Sequence, residues 1–319
     1  MFCQGRVWET AAVTDRRMLL DTAALYFRAF HGVPDTVRSP DGQPVIAVRG
    51  LLDIIAKLVT EFEPTELVAC WDDDWRPQWR VALIPSYKAH RVAQGTPAGS
   101  VEEVPDLLSP QVPVIREVLG LLGIPVVGVS DHEADDVIGT LASTSRMPVD
   151  VVTGDRDLFQ LVDDARAVRV IYTGRGMSNL EVLTDGTLTA KYGIAPTQYA
   201  DFAAMRGDAS DGLPGVAGVG EKTAVTLLTT YGSLDGIIAA AADAGSSMAP
   251  PARAKILAAA DYLAVAPKVV EVVRDLALPD FDARIRPISP EDAAELDALS
   301  ATWGLGASLE RARAALASR

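Results

Sequence analysis

Four short apolar runs, separated by stretches long enough for a helix, limit what this chain can fold into. Met18 to Leu20, Leu67 to Trp71, Ile124 to Val129 and Val149 to Thr153 have the length and apolar density of buried strands. Thr22 to His31 reads as helical. Val45 to Glu63 carries Val48, Leu51, Leu52, Ile55, Leu58, Val59 and Phe62 at close to the 3.6-residue period. Pro110 to Leu122 looks helical and Gly123 closes it; Ser130 or Asp131 is placed to cap a helix from His132 to about Ser143. Strands alternating with helices imply right-handed crossovers and a mainly parallel sheet. Ligands of such sheets gather at the carboxyl ends of the strands. Asp21, Asp72 and Asp155 each follow a strand, and Glu133, Asp135 and Asp136 open the helix after another, so topology alone predicts them at one edge. From about Gly193 strand character gives way to helices punctuated by Gly and Pro.

An isolated acid is ordinarily a solvated group or a helix cap. These acids come in groups: Glu133-Ala134-Asp135-Asp136, Asp155-Arg156-Asp157 and Asp208-Ala209-Ser210-Asp211. Glu133 and Asp136, at i and i+3, can share a helix face with Asp135 to the side, and Asp208 and Asp211 have the same spacing. Crowded carboxylates raise one another's pKa unless cations compensate them. Oxygen ligands without His or Cys suit Mg²⁺ or Mn²⁺ rather than zinc. Two such ions about 4 Å apart activate a water and stabilise the leaving oxygen, which predicts phosphodiester hydrolysis without a protein nucleophile. With only His31, His90 and His132 in the chain, a histidine-centred mechanism is poorly supplied.

Charge raises an objection, because a net charge of −14 opposes indiscriminate attraction to nucleic acid. The answer is local. Residues Trp75 to Val101 hold Arg76, Arg80, Lys88, His90 and Arg91 with Trp75, Trp79 and Tyr87, and neither Asp nor Glu. Cations pair with phosphates and aromatic rings take stacked bases; composition alone equally allows a solvated Arg-rich helix over buried Trp residues. Gly215-Val-Ala-Gly-Val-Gly-Glu-Lys-Thr223 approaches a P-loop, but Glu221 separates Gly220 from Lys222 and no strand precedes it. It reads instead as a helix-hairpin-helix at 207–230. There Gly215, Gly218 and Gly220 would bring main-chain N–H groups to a phosphate, with Lys222 and Thr223 opening the next helix.

Other classes drop out on length and composition. The 319 residues are 49% hydrophobic, without an apolar run near the roughly 20 residues of a membrane span, so no membrane partner is expected. Residues 1–17 lack the apolar core of a secretory signal and read as a mobile tail. Cys3 and Cys70 lie far apart without metal-ligand spacing, which predicts a reducing, cytoplasmic setting.

Asp21 in Leu-Leu-Asp, Asp72 in Ala-Cys-Trp-Asp, Glu133-Ala-Asp-Asp136, Thr153-Gly-Asp-Arg-Asp157-Leu-Phe-Gln-Leu161 and Arg206-Gly-Asp-Ala-Ser-Asp-Gly-Leu-Pro-Gly215 together resemble, in order and spacing, the bacterial 5′-3′ exonucleases. The same type forms the amino-terminal nuclease domain of DNA polymerase I and the flap endonucleases. The likeness runs from Met18 to Tyr231. It implies a PIN-like α/β nuclease domain over 18–192 with a helical arch at about 73–106, and a helical DNA-binding region, with a helix-three-turn-helix, over 193–319. It implies two or three divalent ions on Asp21, Asp72, Glu133, Asp135, Asp136, Asp155, Asp157, Asp208 and Asp211, some through water. Lys88 and Arg91, in Ser-Tyr-Lys-Ala-His-Arg, would contact the scissile phosphate, with Arg76, Arg80 and Tyr87 as further DNA contacts of the arch. Gly95 to Gly99 would be its flexible side, and K⁺ would bind at the hairpin near Val216 and Val219.

The chain departs from the family at three places: Thr22 where Gly is common, Gly212 where Asn is common, and Asp73-Asp74 where Ala-Lys often follows the second Asp. By analogy the substrate is a 5′ flap, nick or recessed duplex end, RNA primers on DNA included. The enzyme would be a monomer at the nucleoid, serving primer removal and repair. The rivals are a noncatalytic structure-specific DNA binder of the same fold and a toxin-like PIN ribonuclease. Beyond Leu234, Val272 to Leu278 reads as a strand or helix end, and Glu291 to Leu299 and Ser308 to Ala317 as amphipathic helices.

Overall fold

The computed structural model describes residues 15–32, 37–92, 102 and 104–319. The expected mobile tail up to residue 14 and the Gly95 to Gly99 side of the arch lie outside the described residues. Six strands form one sheet: β1 (Arg17–Asp21), β2 (Glu66–Cys70), β3 (Val126–Val127), β4 (Val149–Thr153), β5 (Val168–Tyr172) and β6 (Glu181–Leu183). Their order is β3-β2-β1-β4-β5-β6, with every neighbouring pair parallel except β5 with β6. Arg17 already pairs with Glu66 and Val149 in register, so the ordered sheet takes in the last residue of the expected tail.

Period-two alternation gives the sheet a core on each face. Along β1, Met18, Leu19 and Leu20 are all fully buried, yet Leu19 joins one cluster while Met18 and Leu20 join the other. The crossovers α1 (Thr22–Gly32), α2 (Ile46–Phe62), α3 (Gln78–Leu83), α4 (Gln111–Leu121) and α5 (Ala134–Thr144) divide between the faces. α2 and α4 cover Met18 and Leu20, while α5 covers Leu19. After α6 (Asp185–Tyr192) the chain continues as α7 (Tyr199–Arg206), α8 (Glu221–Tyr231), α9 (Leu234–Ala242), α10 (Pro250–Ala258), α11 (Ala260–Leu263) and α12 (Ala266–Val270). These helices extend the Leu19 cluster beyond the sheet. Among the described residues no single helix is long and apolar enough to cross a membrane.

Several expectations are corrected. The third strand shrinks from Ile124–Val129 to Val126–Val127, because the Ile124 N–H is taken by Leu119 O and the Val129 carbonyl turns to His132 N. The helix after it is capped by Glu133, not Ser130 or Asp131: Asp131 adopts φ +59° and its carboxylate accepts from Gln78 N at 3.0 Å. Val272 to Leu278 is neither strand nor helix. Its N–H groups go to side chains, Val272 to Gln160 and Leu276 to Thr140. Helices α13 (Pro290–Trp303) and α14 (Gly306–Ala317), expected in the helical region, return to α4 and α2 respectively and, with Leu305 between them, bury Leu296, Leu309 and Ala312 in the nuclease-side core. Of the arch, the described part is short: α3, a single 3₁₀ turn at Ala89–Arg91, and a bridge from Val92 to Glu102 that brings the ends of the remaining segment together.

Candidate active site

The sheet reverses its strand order between β1 and β4, and the acids collect at the carboxyl edge beside that switch. Asp21 ends β1. Its Oδ2 accepts from Thr153 Oγ1 at the end of β4, 2.6 Å away, and the same hydroxyl accepts from Asp155 N at 2.8 Å. Asp155 Oδ1 in turn accepts from Asp157 N at 2.8 Å. Asp72, just past β2, accepts from Ala134 N at the start of α5 at 2.7 Å, which ties a second loop to the helix carrying Glu133 and Asp135. Short-range hydrogen bonds therefore fix Asp21, Asp72 and Asp155, and strand order brings them together.

Asp21, Asp72, Glu133, Asp135 and Asp155 line one cavity of about 970 Å³ with Lys88 and Arg91. Burial, with the charges of Asp72 and Asp155 added and the Thr153 bond opposing, pushes the Asp21 carboxyl up to about 7. Burial first, then neighbouring acids, likewise raises Asp135, Asp155 and Asp157. Glu133 is raised by burial against the pull of Lys88 and Arg80. For Lys88 burial opposes the charge, but Glu133, Tyr87 and Asp211 outweigh it and lift the ammonium well above its ordinary value.

The sequence-predicted acids divide into three sets. Five line the cavity. Asp157, Asp208 and Asp211 lie behind it, near enough for their charges to act on Asp155 or Asp157. Asp208 holds Arg206 and Ser210, and Asp211 accepts from Arg91 at 3.0 Å. Asp136 is the correction: fully buried, it spends both oxygens on Arg80 and on the N–H groups of Val273 and Glu133. Among the described residues no three acidic, histidine or cysteine side chains stand close enough to enclose an ion. Lys88 is paired with Glu133, and Arg91 with Asp211 and the Ser210 carbonyl. The donor set nonetheless fits a hard divalent cation. It is all oxygen, it is crowded enough to hold protons, and Asp157 Oδ1 is buried without a hydrogen-bond partner.

The basic segment needs three further corrections. Arg80 is 2% exposed and held in ion pairs with Glu133 and Asp136. Tyr87 is buried and donates its hydroxyl to Glu133 at 2.7 Å, so its ring is unavailable to a base. Arg76 donates to the carbonyls of Tyr87 and Pro85, closing its own loop. Asp73 and Asp74 turn away from the cavity: Asp73 packs against Gly128, and Asp74 accepts from Asp131 N. Arg28 was missed. It lines the cavity from α1, the helix that follows Asp21, and its Nε is buried without a partner.

The hairpin joins this site at its base. Lys88 N donates to Asp211 O at 2.9 Å, and Ser86 Oγ to Gly212 O at 2.8 Å. Gly212 has φ +69°, and a Cβ there would overlap the Ser86 carbonyl oxygen, so any side chain at this position forces the 85–88 loop to shift. Gly215 has φ +66°, and a Cβ there would stand only 2.6 Å from Gly207 N, so the turn is built for glycine. Gly218, Gly220 and Lys222 are exposed at the start of α8, Thr223 is half-buried, and the side chains of Val216 and Val219 are buried beneath them.

Residues 16–193 match the family profile of the 5′-3′ exonuclease N-terminal resolvase-like domain, and residues 194–292 that of the 5′-3′ exonuclease C-terminal SAM fold. A 5′-3′ exonuclease of Streptomyces coelicolor is 60% identical over 295 residues, covering 92% of this chain and 98% of the relative. One from Mycobacterium tuberculosis is 49% identical, covering 94% and 97%. A DNA polymerase I from M. tuberculosis is 41% identical over 225 residues, which are 69% of this chain and 24% of the polymerase. Among solved structures, phage T5 5′-exonuclease with bound zinc superposes with a TM-score of 0.63 at 16% identity, covering 95% of this chain and 98% of that one. The catalytic core of Rad2 in complex with DNA substrate gives 0.58 at 16%, covering 96% and 92%. These two establish a shared fold.

Proposed function

Because this chain belongs to the 5′-3′ exonuclease family, we propose that the cavity at its sheet edge hydrolyses phosphodiester bonds near free 5′ ends of duplex DNA, at flaps, nicks and recessed ends. The observation that carries the reading is the meeting of Asp21, Asp72, Glu133, Asp135 and Asp155, from four separate stretches of chain, in one cavity with Lys88 and Arg91. Asp21, Asp72, Glu133, Asp135 and Asp155 would hold Mg²⁺ or Mn²⁺, with Asp157, Asp208 and Asp211 acting from behind. Such ions, when bound, polarise a phosphate and make water a nucleophile at neutral pH. Lys88 and Arg91 leave their carboxylate partners for the scissile phosphate and stabilise the charge that develops on it. Arg28 adds a further cation to the lining. The hairpin N–H groups at Gly215, Gly218 and Gly220, with Lys222 and Thr223, grip the duplex some distance from the cut. Potassium at the main chain of Val216 and Val219, action on RNA primers, a monomeric state and a place at the nucleoid belong to the same reading.

The test is to incubate end-labelled flap, nicked and blunt duplexes with Mg²⁺, Mn²⁺ or EDTA and to map the products. Products ending in a 5′ phosphate, formed only with metal, are expected. Tight binding of flap DNA without cleavage under any metal would overturn the reading and leave a noncatalytic binder. Preference for single-stranded RNA would leave a PIN-type ribonuclease.

A further inference from the structure

Arg80 is the most heavily used side chain near the cavity, yet it does not line it. Its guanidinium donates to Glu133 Oε2 at 2.7 Å, to both Asp136 oxygens at 2.7 and 2.8 Å, and to Val269 O at 3.1 Å, with Trp79 4.4 Å away across its face. Val269 belongs to α12, in the helical region. Gln160, also buried, makes a parallel connection: its Nε2 donates to Asp157 O at 2.8 Å and to Val270 O at 3.0 Å, and its Oε1 accepts from Val272 N at 3.1 Å. Asp136 completes the set by accepting from Val273 N at 2.9 Å. The strap 269–273 is thus fastened on one side to the start of α5, which carries Glu133 and Asp135, and on the other to the turn carrying Asp155 and Asp157.

From this we infer that Arg80 and Gln160 are positioning residues that make the alignment of the active-site carboxylates depend on how the helical region is docked. Buried charge-assisted bonds hold a geometry only while all partners are present. A shift of α12 removes the Val269 and Val270 carbonyls from Arg80 and Gln160, and the same two side chains then release Glu133 and the Asp157 turn. Duplex gripped by the helical region is in this way reported to the cavity. The inference rests on the function proposed above for the kind of ligand the helical region holds. The coupling itself is a property of the chain alone.

The test uses the full chain as Arg80→Lys and Gln160→Ala, with three readouts: hydrogen exchange without metal or DNA, Mn²⁺ affinity without DNA, and single-turnover cleavage at saturating flap DNA. Gln160→Ala is expected to speed exchange in 133–144 as well as in 157–161 and 269–276, although the Gln160 side chain hydrogen-bonds only to Asp157, Val270 and Val272 and not to α5. Both variants should lose about tenfold in Mn²⁺ affinity and in single-turnover rate, as removal of a ligand's supporting partner typically does, while flap affinity stays within about threefold. Exchange confined to the elements each side chain touches would overturn the inference. So would an Arg80→Lys variant that loses flap affinity but cuts bound DNA at the normal rate. If Arg80→Lys does not fold, the exchange pattern of Gln160→Ala decides alone. If the wild type cuts no substrate, the function proposal falls while the exchange result still judges the coupling.

Discussion

At the scale of single residues, the cavity concentrates acids that water would ordinarily separate. Asp21 makes a pH prediction. Its folded pKa, about 7, lies above its ordinary 3.8, so the folded chain holds that proton more tightly than the unfolded chain. Its contribution to stability is therefore full below about pH 4 and lost as pH rises through about 7. In metal-free protein, Asp21→Asn should gain stability over wild type progressively from pH 5 to about pH 7 and then level off, by about 3 kcal/mol in total at about 1.4 kcal/mol per unit. Urea unfolding across that range measures it, and a difference independent of pH would contradict it. Asp155→Asn should abolish cleavage while preserving flap binding, which separates a chemical role from a binding one. Lys88→Ala should slow single-turnover cleavage by about a hundredfold or more, the scale of losing one charge-stabilising donor, whereas Arg28→Ala should chiefly weaken binding. Equal losses of binding and rate in both variants would remove the distinction.

At the scale of elements, the sequence carried what depends on local pattern. Apolar strand runs and the acids that follow them are written within five or six residues, and the parallel sheet and the five cavity acids could be read from them. What could not be read depends on partners far away in sequence. Nothing in Glu133-Ala-Asp-Asp says that Asp136 faces Val273, 137 residues on, or that Arg80 will neutralise it. The basic segment misled for the same reason: composition counts cations, and only packing tells that Arg80 and Tyr87 are buried. The hairpin loop offers a test of docking between elements. Gly212→Asn, toward the common family residue, should destabilise this protein by about 1–3 kcal/mol and lower activity, since a Cβ meets the Ser86 carbonyl. A neutral outcome in thermal unfolding would show that the 85–88 loop can move aside.

At the scale of the whole molecule, two opposite sheet faces serve two purposes. One face and the helices α7 to α12 share a continuous core, so the hairpin proposed to grip DNA and the carboxylates belong to one packed body. The other face is covered by α2, α4 and the returning α13 and α14. The net charge of −14 fits this division, because the proposed function needs attraction to phosphate only at the cavity and hairpin, and charge elsewhere favours solubility. The whole account rests on oxygen ligands from distant stretches of chain enclosing divalent cations. An anomalous difference map from a crystal soaked in Mn²⁺ tests that most directly. It should contain ions within about 2.3 Å of oxygens from Asp21, Asp72, Asp135 and Asp155, with Lys88 withdrawn from Glu133. A map without an ion among those side chains, at a manganese concentration that supports cleavage, would contradict it.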